Sequence, residues 1–130
     1  MKFSHIAVAA YHRRTVWRRD VVTQFNEVLL SNGPILIELC GHIDGSYING
    51  SYILEKILEN QVPQDHILAV KLDHCTFSLT FLQYLNNLVH LDLSKCNLHG
   101  KLDVLGSKDR GLVFINMYEC HLTNSDLKPH

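Results

Sequence analysis

Apolar and polar positions alternate most regularly along Leu88-Val89-His90-Leu91-Asp92-Leu93-Ser94-Lys95-Cys96-Asn97-Leu98. Leu91 and Leu93 stand two apart, the period of one face of a strand, and the spacing then lengthens to Cys96 and Leu98. The same five slots are filled upstream by Ile67, Val70, Leu72, Cys75 and Phe77, and downstream by Leu112, Ile115, Met117, Cys120 and Leu122. Strands are therefore predicted over residues 68–72, 89–93 and 113–117, at steps of 21 and 24 residues. Steps that short leave no room for a long crossover helix, so successive strands must stack and bury together what each would leave exposed alone. Between them, Leu79, Leu82 and Leu85 predict a short helix, and Leu102, Val104 and Leu105 a less regular one.

The first half of the chain follows a different period. Residues 1–11 are weakly patterned, but Trp17, Val21, Phe25, Val28 and Leu29 fall on one face of a helix that Asn32-Gly33-Pro34 would stop. The apolar run over residues 34–43 fits either a buried strand or a short helix by periodicity alone. Helix is the expectation, because Pro34 suits a first helical turn and Leu36, Leu39, Cys40 and Ile43 then share a face. After a turn-rich link, Tyr52, Ile53, Leu54, Ile57 and Leu58 mark a further amphipathic helix, with Glu55 and Glu59 on its wet side.

The five-slot spacing is that of the leucine-rich repeat, L-x-x-L-x-L-x-x-N/C-x-L. The expected fold is thus α/β: a short leucine-rich repeat solenoid of about three repeats with parallel strands on its concave face. Residues 1–66 would form a helical N-terminal cap and residues 67–130 the repeats, the last one incomplete. A chain of 130 residues, 46% hydrophobic and 19% charged, suits one ordinary domain. A formal charge of -1 gives no electrostatic reason to invoke nucleic acid or an anionic membrane. No apolar run reaches the length of a membrane span, and the N-terminus lacks a secretory apolar region, so a cytoplasmic location is expected. The basic run over residues 12–19 reads either as an address or as the outer face of the first helix.

Cys75, Cys96 and Cys120 occupy one slot in successive repeats, where each thiol would face the core as a small apolar group with a weak donor. Stacked about 5 Å apart, they would form a ladder of free thiols. There is no Cys-x-x-Cys and no histidine pair at ligand spacing, so neither a metal nor another cofactor is expected. No nucleophile elbow, phosphate loop or zinc-protease motif is present, and Asp73, His74 and Cys75 are neighbours that a strand would point to opposite faces. The chain reads as a non-enzyme.

Recognition would then fall to the alternate side chains of the repeat strands. These are Ala69, Lys71 and Asp73, then His90, Asp92 and Ser94, then Phe114, Asn116 and Tyr118, a surface of mixed charge with an aromatic end. Exposed aromatics make Phe114 and Tyr118 the candidate anchors for a protein partner, against the plainer reading of an edge strand with two solvated rings.

The repeats resemble the cysteine-containing leucine-rich repeats of ubiquitin-ligase substrate receptors, through Cys120-x-Leu122-Thr123 followed by Asp126-Leu127. The chain as a whole is similar to the N-terminal part of the Zyg/Zer family of cullin-elongin receptors. Leu36-Ile37-Glu38-Leu39-Cys40, with Ile43 beyond it, matches the core of that family's elongin-binding box, and residues 106–112 look like an inter-repeat link. The resemblance implies a docking helix in which Leu36, Cys40 and Ile43 meet elongin, with a substrate held on the concave face. The plainer reading of the same helix is a buried cap over the first repeat. The alternative to an adapter is a structural subunit that assembles through its open C-terminal edge.

Overall fold

The computed structural model describes residues 2–11, 14–17, 20–41, 47–106 and 111–123. The chain is a mixed α/β structure with two open sheets built largely of parallel strands. In the larger sheet, β1 (Ser4–Tyr11), β3 (Ile35–Cys40), β5 (Ile67–Asp73), β7 (His90–Ser94) and β9 (Phe114–Asn116) lie side by side in parallel. The hairpin strand β2 (Arg14–Trp17) closes the β1 side antiparallel. The smaller sheet runs β10 (His121–Thr123), β8 (Asn97–His99), β6 (Cys75–Ser78) and β4 (Ile48–Asn49), all parallel. From β5 onward each pass of the chain lays one strand in the large sheet, turns, and lays the next in the small one.

Register explains the core. Ile6, Ile37, Val70 and Leu91 stand opposite one another across the large sheet, as do Val8, Leu39, Leu72 and Leu93, and none is more than 1% exposed. Phe77 and Leu98 make the matching pair in the small sheet. Fully burying one such side chain stabilises by about 1.5–3 kcal/mol. The connecting segments close this core. Leu79, Leu82 and Leu85 are buried in and just after the 3-10 segment Leu79–Tyr84, whereas in the segment Leu102–Gly106 only Leu105 is buried.

Helix α1 (Val21–Ser31) starts where the Asp20 carboxylate accepts from the Thr23 amide at 2.9 Å, and ends at Asn32 in the left-handed conformation. Helix α2 (Gly50–Leu58) is capped likewise by Asn49, whose side chain accepts from the Tyr52 amide. Leu54 and Ile57 are its buried face, and Glu55 and Glu59 are exposed, in line with the periodicity.

The first 66 residues are not a helical cap. They supply three strands to the large sheet, and Trp17 belongs to β2, not to the first helix. Residues 35–40 form a strand because the β-branched and apolar positions Ile35, Ile37 and Leu39 alternate with Leu36, Glu38 and Cys40, and the two flanking strands β1 and β5 satisfy the backbone. The helix expected to carry Leu36, Cys40 and Ile43 is therefore corrected to a central strand, and Ile43 lies outside the described residues. So do Asp126, Leu127 and the arginines at 13, 18 and 19.

One residue in α1 answers a specific backbone demand. The wholly buried Gln24 carboxamide pairs with the backbone of Ala7 in β1. Its Oε1 accepts from the Ala7 N–H at 2.7 Å and its Nε2 donates to the Ala7 carbonyl at 3.4 Å.

Candidate protein-binding face

Between the sheets the chain makes the same turn three times among the described residues. His74, Lys95 and Glu119 each adopt a left-handed conformation, φ 54°, 54° and 53°, and each is followed by a cysteine that starts the next leg. Such conformations are costly for residues with a side chain, and stacked hydrogen bonds offset the cost. The His74 N–H donates to the Ser94 carbonyl at 3.1 Å and the Lys95 N–H to the Tyr118 carbonyl at 2.8 Å. Gly41 takes the same place one step earlier, donating to the Asp73 carbonyl at 2.6 Å. A Cβ at Gly41 would overlap the backbone of His74, so only glycine lets the two turns stack so closely.

The thiols climb the same stack. The Cys75 sulfur lies 3.7 Å from the Leu39 carbonyl, the Cys96 sulfur 3.4 Å from that of Leu72, and the Cys120 thiol donates to that of Leu93. Cys75, Cys96 and Cys120 are free thiols. A hydrogen bond with Cys96, then burial, holds the Cys75 thiol well above the ordinary thiol range, and burial raises Cys120. Cys75 is wholly buried, and the His74 ring turns instead to the Asp73 carboxylate, Nδ1 to Oδ1 2.9 Å. Among the described residues, no group of three or more His, Cys, Asp or Glu is placed to hold a metal ion.

The turns fix what the outer face of the large sheet presents. Its middle row runs Ala7, Glu38, Lys71, Asp92, Asn116, one residue per strand. On one side of it lies the row His5, Leu36, Ala69, His90, Phe114, and on the other Ala9, Cys40, Asp73, Ser94. Glu38, Cys40, Lys71, Asp73, Asp92 and Ser94 border an open cleft of about 250 Å³. Glu38 is held by His5 at 3.1 Å and more loosely by Lys71 at 4.0 Å. Asn116 donates to Asp92 at 3.0 Å and in turn accepts from the Tyr118 amide at 3.1 Å.

Toward the last strand the face becomes aromatic. The His90 and Phe114 rings stack with centroids 4.3 Å apart and planes 15° from parallel. Phe114 is 46% and Tyr118 57% exposed.

No family model, curated protein or solved structure matches the chain.

Of the residues expected from sequence, Lys71, Asp73, Asp92 and Ser94 share the cleft, and His90 and Phe114 form the stack. Asn116 braces Asp92, and Tyr118 stands beyond the end of β9. Ala69 is 6% exposed and offers little surface. Glu38 and His5 stand outside that expected set, and Cys40 joins the cleft from a strand instead of a docking helix. The signal for Glu38 is the alternation of residues 35–40, which the apolar outward residues Leu36 and Cys40 obscure. Leu36 and Cys40, set in a central strand, are not available as a docking helix. No helix of the described residues is long and apolar enough to cross a membrane.

Proposed function

We propose that the chain is a short leucine-rich repeat solenoid whose outer sheet face binds a protein partner. The observation that carries this reading is the row Glu38, Lys71, Asp92, Asn116, a polar stripe with a cleft at its centre and two exposed rings at its end. Three carboxylates, Glu38, Asp73 and Asp92, face one lysine there. A partner with basic and apolar side chains side by side would meet charge with charge and ring with ring, leaving the aromatic contacts to supply most of the affinity.

In the broader form of the proposal this partner is a substrate and the chain an adapter of a ubiquitin ligase, the contact with elongin then coming from residues other than Leu36 and Cys40. The test is quantitative co-purification with wild-type protein, Asp92→Lys and Phe114→Ala, with Leu30→Ser as a control at an exposed site on α1. Partners lost from both face variants and kept by the control support the face; partners retained by all three contradict it. Elongin among the retained partners would support the adapter form, and its absence from wild type would remove it.

A second reading, a subunit that assembles through the β9 and β10 edge, is favoured by one observation. Ile115, Met117 and Leu122 occupy core slots yet are 39%, 39% and 53% exposed. Sedimentation equilibrium separates the two: a monomer at all concentrations supports the face as the principal surface, and a concentration-dependent dimer abolished by Ile115→Glu supports the edge.

A further inference from the structure

Away from the sheet face, α2 and the 3-10 segment Leu79–Tyr84 enclose a second groove of about 400 Å³. Its lining comes from two short periodicities and from Gln64 between them in the sequence. Glu55, Leu58 and Glu59 sit at i, i+3 and i+4 along one edge of α2, and Phe81 and Tyr84 are three apart in a 3-10 segment, where such residues eclipse. Phe81 is 9% exposed and forms the floor, held edge-on by Phe77 at 6.3 Å. Tyr84, 48% exposed, meets Phe81 edge to face with centroids 5.3 Å apart and makes an upright aromatic wall.

The same groove is lined by two carboxylates of α2. Glu59 has Lys56 at 3.4 Å, and Lys56 also lies 5.2 Å over the Tyr52 ring, so the same helix already holds one ammonium between a carboxylate and an aromatic face. Glu55 has no salt bridge among the described residues. The groove thus offers an apolar floor, a free π surface and a carboxylate with no ion pair, and no cation among its lining residues.

We infer that this groove receives a guanidinium-bearing side chain, an arginine of a partner protein, with its methylene stem on Leu58 and Phe81, its planar head against Tyr84 and its charge toward Glu55. A guanidinium suits the place better than a compact ammonium because it stacks flat on a ring while donating in its own plane. The site is separate from the outer sheet face and stands whether or not that face binds a partner.

The test is an amide-resolved NMR titration of the full chain with n-butylguanidinium, against n-butylurea as the neutral isostere. The expected result is chemical-shift change confined to α2 and the Leu79–Tyr84 segment, with the cation half-saturating at about one-tenth the concentration of the urea, the combined effect of one exposed ion pair and one cation–π contact. Glu55→Gln should erase the preference for the cation, and Tyr84→Ala should weaken both probes, with thermal unfolding showing that each variant keeps its fold. Equal binding of the two probes, shifts centred on Asp92 and Ser94, or no localised shifts at all would overturn the inference.

Discussion

The middle and the last passes of the repeat carry one side-chain pattern and meet different environments. Leu91 and Ile115 are register partners in the large sheet, yet Leu91 is 0% and Ile115 39% exposed; Leu98 and Leu122 are partners in the small one, at 1% and 53%. Pattern decides which side chains turn inward, and a neighbouring pass of the chain decides whether they are buried. The central strands are covered on both sides, so their slots count as core. The last pass has a neighbour on one side only among the described residues, so its apolar slots become surface.

That contrast rests on close stacking, and the largest effect should come from blocking it. Gly41→Val forces a side chain into the His74 backbone, and a loss of about 4 kcal/mol or outright failure to fold is expected in urea unfolding. Next comes the paired test: Leu91→Ala should cost about 3 kcal/mol and Ile115→Ala about 1 kcal/mol or less by the same measurement. Equal losses would mean that the last pass is as well covered as the middle one. At the other edge of the sheet, Gln24→Leu strands the buried Ala7 backbone groups and should cost about 2 kcal/mol, with faster amide exchange at Ala7.

A smaller effect is expected of the thiol ladder and depends on pH. The folded chain keeps the Cys75 proton above pH 9, where an unfolded thiol loses it. The folded state then binds more protons, so this contribution is complete below the ordinary thiol pKa and is lost as pH rises beyond it. Cys75→Ala should flatten that alkaline slope in denaturation curves taken from pH 8 to 10. The smallest effect on stability, within about 0.5 kcal/mol, is expected for Phe114→Ala, which removes exposed area and leaves the core intact.

The parts of the fold that repeat were legible in the sequence, and those that do not repeat were read less well. Strands β5, β7 and β9 announced themselves because Val70, Leu91 and Ile115 sit at the same place in three copies of one spacing. β1 went unread because its outward positions, Ala7 and Ala9, are small and apolar, so Ile6 and Val8 had no polar alternation to stand out against. β3 reads as a helix in sequence because Leu36 and Cys40 supply a second, equally regular period. The candidate site was legible to the extent that it draws on repeating strands: Lys71, Asp92 and Asn116 follow from alternation, but Glu38 joins their row only through the register of a strand assigned to the wrong class. The groove between Glu55 and Tyr84 leaves no trace in the sequence, since it depends on two residues meeting that stand 29 positions apart in segments sharing no period.

The central claim, that the outer sheet face is the recognition surface, is tested most directly by photo-crosslinking. A benzophenone amino acid would replace Phe114 on that face, or Leu30, 86% exposed on α1, as control. The expected result is a discrete adduct from position 114 that disappears when Asp92→Lys is added, and none from position 30. Adducts of the same pattern from both positions, or an adduct from position 114 indifferent to Asp92→Lys, would contradict it.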